Sequence, residues 1–213
     1  MPAARSSLFL PATLGCLVVA LLAPWAHATT KGLNQIVTPD IQPEGILSLS
    51  AQAQHSVIGN SQEVQFELGL TKNFEVSLFH GFKPREEIAG AEFNLLSQGP
   101  HLLTLGAVNW SSQGGGAQPV FEYGWYGKDD HFIAGAIYAG KRTEGILGYS
   151  HQFSEKLMFS ADWQSGPGNS FTLGLTYNFT PDLQTNPAIY FTNSHPHHAI
   201  GYLVVTWSIP VWK

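Results

Sequence analysis

Six carboxylates carry most of the chemistry that this sequence offers. Glu67, Glu75, Glu92, Glu122, Glu144 and Asp162 each stand in a stretch where apolar residues alternate with polar or small ones, on the face opposite the apolar side chains. Few bases share those faces, since Lys72, Lys83, Arg85, Lys128, Lys141 and Arg142 fall in turns or at the ends of the alternating stretches. An uncompensated carboxylate in a dry core costs several kcal/mol. The set therefore reads as the lining of a wet interior, where acids mixed with Gln, Ser, Thr and Asn hold water and attract cations. The competing reading keeps the same acids in a hydrogen-bonded plug with Lys156 and the tyrosines.

The other reactive groups point less clearly to chemistry. His195-Pro196-His197-His198 gathers three imidazoles, and His195, His197 and His198 are weak candidates for binding Zn, Cu or Ni. A proline-containing loop tip supplies neither a fourth ligand nor the supporting contacts that a tight site needs, so no resident metal is expected. His80, His131 and His151 lie near strand ends, with Ser77 close in sequence to His80 and Ser150 next to His151, which raises a lipid-hydrolase reading. No G-x-S-x-G motif accompanies them, and no enzyme activity is expected. Gly114-Gly115-Gly116 lacks the lysine and following helix of a phosphate loop, so neither a nucleotide nor any other cofactor is expected.

The elements that place these residues are strands. Phe171, Leu173, Leu175, Tyr177 and Phe179 share one face, with Thr172, Gly174, Thr176 and Asn178 opposite. Val64, Phe66, Leu68 and Leu70 oppose Gln65, Glu67, Gly69 and Thr71 in the same way. Period two is the strand signal, and helical spacing fits neither stretch. Clusters of Gly, Pro, Asn, Asp and Ser divide the chain into strands near 45–54, 63–71, 74–82, 88–96, 101–110, 118–126, 131–139, 143–153, 156–165, 170–179, 186–193 and 199–209. Most are close to the 9 to 11 residues that a tilted strand needs to cross a bilayer, about 9–11 in general. Connections after even strands are tight, such as Lys72-Asn73, and those after odd strands are mostly looser and glycine-rich, which puts both termini on the side of the short turns.

Residues 1–28 read as a signal peptide: Arg5, an apolar run from Leu8 to Leu22, and Ala26-His27-Ala28 as the cleavage site. Its removal takes away the only cysteine, Cys16, and leaves nine basic residues against 15 acidic ones, a net charge of −6. Disulfides and thiolate chemistry are then excluded, and an acidic chain is a poor partner for nucleic acid. Residues 29–44, with Pro39 and Pro43, read as an extended lead-in or inner-mouth segment, and residues 45–213 as the barrel domain. Charged residues make up 12% of the chain, about half the usual soluble share of about 25%, which suits strands with an apolar environment on one side.

Period two alone also describes a secreted β-sandwich or a lipocalin-like barrel. Two features favour an all-β, antiparallel, up-and-down transmembrane barrel of about twelve strands, with ten or fourteen as alternatives. Aromatics (Phe74, Phe132, Phe171, Tyr177, Phe179, Trp207) gather near strand ends on the apolar faces, as interfacial girdles do, and the acids occupy the other face. The stretch Thr38-Pro39-Asp40-Ile41-Gln42-Pro43-Glu44-Gly45, followed by Glu67-Leu68-Gly69-Leu70-Thr71, resembles small porin- or transporter-type barrels of Gram-negative outer membranes. That resemblance implies the cell outer membrane as location, with membrane lipid and the outer-membrane assembly machinery as partners. Such proteins usually end in an aromatic residue, whereas here Lys213 follows Trp212. Twelve strands imply a bore between the filled eight-stranded barrels and the open channels of sixteen or more. The expectation is a narrow, cation-preferring channel for small solutes; a non-conducting structural or binding barrel is the alternative.

Overall fold

Alternation of this kind closes on itself. The computed structural model describes residues 32–195 and 198–212. The expected leader, the start of the lead-in segment and His197 lie outside the described residues. Twelve strands follow one another: β1 (Ile46–Gln54), β2 (Gln62–Thr71), β3 (Phe74–Phe82), β4 (Arg85–Gln98), β5 (His101–Ser111) and β6 (Gln118–Tyr126) form one half. β7 (Asp130–Tyr138), β8 (Thr143–Ser154), β9 (Leu157–Gln164), β10 (Ser170–Thr180), β11 (Leu183–Thr192) and β12 (Ala199–Pro210) form the other. Each strand pairs antiparallel with the next, and β1 pairs with β12 from Ile46↔Pro210 to Gln54↔Tyr202, so the sheet is a closed barrel without an edge. No helix occurs among the described residues.

The faces are inverted relative to a water-soluble β-protein. Phe66, Leu78, Phe121, Leu147, Leu175 and Trp207 are exposed on the outside, while Ser48, Thr104, Thr172, Asn186, Thr206 and Ser208 are buried inside. A sandwich would pack its apolar faces together and wet its polar ones. A barrel with an apolar outer belt and a polar interior does the opposite, and this inversion decides between the two architectures.

Turns separate the two ends. After the even strands the connections are residues 72–73, 99–100, 127–129, 155–156 and 181–182; after the odd strands they reach seven residues at 55–61, the two-residue turn Lys83-Pro84 being the short one. The strands 74–82 and 118–126 have the bounds that their flanking turn residues imply. β4 runs further than the expected 88–96, because the tight turn brings Arg85 opposite Phe82 and the ladder carries the charged residues 85–87 with it. β11 begins before the expected 186. Pro187 lies inside it, and pairing with β10 passes from Gly174↔Ala188 to Tyr177↔Thr185 across the proline, which has no N–H to donate.

Candidate functional site

Inside the barrel the six carboxylates occupy one continuous interior, each at 5% exposure or less. Glu67, Glu75 and Glu92, on the neighbouring strands β2, β3 and β4, border a cavity of about 160 Å³ together with Gln52, Gln65 and Tyr202. Glu122 stands on β6, where its paired neighbour on β7 is Gly135. Glu144 lies toward the long-loop end and is tied down by Arg142 Nε at 2.7 Å, Gln164 Nε2 at 2.8 Å and Asn169 Nδ2 at 2.6 Å. Asp162, toward the long-loop end of β9, accepts from backbone N–H groups of the lead-in segment: Asn34 at 2.6 Å and Gln35 at 3.2 Å. All six side chains are buried on the polar face of their strands. At such low exposure, however, the interior around them is largely packed.

What packs it is the lead-in. Residues 32–44 run across the lumen as a strap. The tip doubles back on itself, with Leu33 N donating to Ile36 O at 3.2 Å and Gly32 N to Thr38 Oγ1 at 3.1 Å. One wall grips this tip: Asn34 Nδ2 donates to Thr172 Oγ1 at 2.9 Å, Ser160 Oγ donates to Asn34 Oδ1 at 3.0 Å, and the Tyr190 hydroxyl donates to Asn34 O. The stem is held by the opposite wall. Thr104 Oγ1 donates to Pro39 O at 2.6 Å, Tyr126 Oη to Asp40 Oδ1 at 2.8 Å, and Gln42 N to Glu75 Oε2 at 2.6 Å.

An apolar patch completes the seat. Val108, Val120, Ile133, Ile137 and Ile146 line the inside of β5 to β8, and Ile36 packs into them with Leu33 beside it. The wall is also cut to shape. A β-carbon on Gly148 would lie 2.7 Å from Ile36 Cδ1, and one on Gly174 would lie 2.7 Å from Asn34 Cγ, so a side chain at either position would force the facing side chain of the tip to shift. The sequence does carry a signal for this patch, because alternation fails there: Phe132-Ile133-Ala134-Gly135-Ala136-Ile137 is apolar or small on both faces.

The strap divides the lumen. The 160 Å³ cavity lies toward the long-loop end, and a second cavity of about 680 Å³ lies toward the short-turn end, bordered by Tyr126, Lys128, Asp129, His131 and Gln152. Gly32 and Leu33 border both. Removing the Tyr190 hydroxyl (Tyr190→Phe) is expected to cost about 1 kcal/mol, the worth of one buried hydrogen bond. Urea unfolding from detergent micelles checks this through a lower midpoint with an unchanged slope.

The remaining candidates do not form a second centre. Ser77 and His80 lie on opposite faces of β3, as do the adjacent Ser150 and His151 on β8; His80 instead meets Glu87 at 2.6 Å and His151 meets Asp130 at 2.8 Å on the outside. Ser150 does face His131 Nδ1 at 3.3 Å across the β7–β8 ladder, but the serine is 1% exposed. His195 and His198 are exposed with ring centroids 6.4 Å apart, and no group of three or more metal-ligating side chains occurs among the described residues.

No family model matches the chain, and no curated protein does. Solved structures do. The KdgM porin in complex with disordered oligogalacturonate superposes with a TM-score of 0.57 at 8% identity, covering 77% of this chain and 99% of that one. The NanC porin follows with a TM-score of 0.50 at 10% identity, covering 78% and 99%. At such identities the likeness is one of fold.

Proposed function

We propose that this chain is an outer-membrane channel for small neutral or cationic solutes, seen here with its bore closed. The observation that carries the reading is the pair of cavities, one behind each mouth, with only the strap tip common to both. A barrel that serves as a wall alone has no use for a polar interior hollowed from both ends. The leader, the apolar outer belt and the aromatic residues near its rims support the outer membrane as the location, with lipid against the belt and the assembly machinery as a transient partner.

Charge separates the solute class from that of the KdgM complex. A galacturonate chain is anionic at neutral pH, and Glu67, Glu75 and Glu92, which border the 160 Å³ cavity, disfavour it. Cations and uncharged polar solutes meet no such barrier. The reading is tested by planar-bilayer recording in KCl on refolded protein, where stepwise, cation-preferring conductance is expected. A carboxylate about 6 Å from a hydrated cation contributes about 0.7 kcal/mol in water, so Glu67→Gln is expected to lower the cation-to-anion permeability ratio about threefold. A conducting protein whose ratio favours anions overturns the solute class. The packing around the strap favours a second reading, a permanently closed structural barrel, and silence at every voltage from the wild type and from strap-deleted protein would establish it.

A further inference from the structure

The strap is not held evenly along its length, and the difference separates a fixed part from a movable one. The stem runs into the wall through main-chain bonds: Glu44 bridges Gly69 in parallel, Gly45 N donates to Gly69 O at 2.8 Å, and Ile46 N donates to Pro43 O at 3.0 Å. It is thereby continuous with the sheet that begins at Ile46. The tip makes no such backbone pairing with the wall among the described residues. It is held by the side chains of Asp162, Ser160, Thr172 and Tyr190 and by the packing of Ile36 and Leu33. Main-chain ladders fail together with the sheet; side-chain clasps release one by one.

Space exists for the released tip. The cavity at the short-turn end borders Gly32, Leu33, Thr38 and Asp40, so the tip has about 680 Å³ beside it on that side. Swinging there would carry the tip away from β9, β10 and β11. It would also leave the Asp162 clasp and the apolar patch behind, opening the 160 Å³ cavity toward the far mouth.

We propose that residues 32–38 are the leaf of a gate, hinged on a stem whose main-chain anchor lies at residues 43–45, with Asp162 on β9 as the latch that holds the leaf across the bore. The proposal rests on the channel reading and adds its regulation. Asp162 is the latch because one carboxylate oxygen accepts two consecutive backbone N–H groups at the turn of the tip, and such charge-assisted bonds exceed neutral ones in strength. Tyr190 and Thr172 orient Asn34 beside it. The glycines at 148 and 174 form the seat against which the leaf closes.

The test uses full-length mature protein in planar bilayers with KCl. In Asn34→Cys/Gly174→Cys a disulfide joins leaf to seat, the β-carbon at residue 174 being within bridging reach of the Asn34 side chain. The oxidised form is expected to stay closed and the reduced form to gate, reversibly with dithiothreitol. Asp162→Asn, which keeps the shape of the latch and removes its charge, is expected to raise open probability about tenfold, the loss of part of a charged hydrogen bond. Deleting residues 32–38 is expected to leave a channel that no longer closes, with folding confirmed by heat-modifiable migration on a gel. If the oxidised double cysteine conducts like the reduced one while the wild type conducts, the gate is overturned and the channel stands. If neither the wild type nor the folded deletion conducts at any voltage, the channel reading falls and the gate with it.

Discussion

Leu175→Arg is expected to destabilise the barrel in a lipid bilayer by about 2–4 kcal/mol, whereas Phe179→Arg, nearer the rim on the same face of the same strand, is expected to cost about 0–1 kcal/mol. Leu175 lies at the centre of β10, 45% exposed, and Phe179 lies near its end at 54%. Their exposure is therefore nearly the same, and only depth in the membrane distinguishes them. In a water-soluble protein both substitutions would replace an exposed apolar side chain with a charged one at little cost. Urea titration of refolding into phospholipid vesicles, followed by tryptophan fluorescence, measures the difference between the two. Equal and small effects would show that the apolar belt does not meet lipid, and the membrane assignment would go.

Ile36→Asp has the larger functional effect. Ile36 is 2% exposed among Val108, Val120, Ile133, Ile137 and Ile146, where a carboxylate finds no partner. Burying it there costs several kcal/mol, and about 2.8 kcal/mol already shifts a two-state equilibrium 100-fold. The sheet need not bear that cost, because the stem can stay in its ladder while the tip leaves the patch. The expected outcome is a folded barrel whose open probability in bilayer recordings rises about 100-fold, up to saturation. Ile36→Leu, which conserves volume and polarity, is expected to cost under about 1.5 kcal/mol and to gate close to the wild type. An Ile36→Asp protein that is folded and as closed as the wild type would show that this side chain holds nothing shut.

The strands were legible because period two is a local property, repeated over eight or more residues each time. A residue such as Glu92 shows its face through its neighbours Ala91 and Phe93, whatever lies across the bore. The extension of β4 was not legible, since Arg85-Glu86-Glu87 has the composition of a loop and becomes strand only because Phe82 and its neighbours stand opposite. The strap was the larger omission. Nothing in Asn34-Gln35-Ile36-Val37-Thr38 distinguishes a free lead-in from a lumenal segment, because its partners are supplied by strands up to 156 residues away, as in the Tyr190–Asn34 bond. The loss of alternation around Ile133 and Ile137 was the one trace of the strap in the wall, and its meaning depends on knowing that Ile36 arrives there.

The seam between β1 and β12 has a consequence for biogenesis. Asn34 stands near the front of the described chain, yet β9, β10 and β11, which receive it, are among the last strands to be made. The cylinder can be shut only when its final strand reaches its first. The last strands to be made thus wrap the segment that precedes the first. Truncation before β9 would leave the opening segment without the clasp of Ser160, Asp162, Thr172 and Tyr190, and the half-made ring with two raw edges.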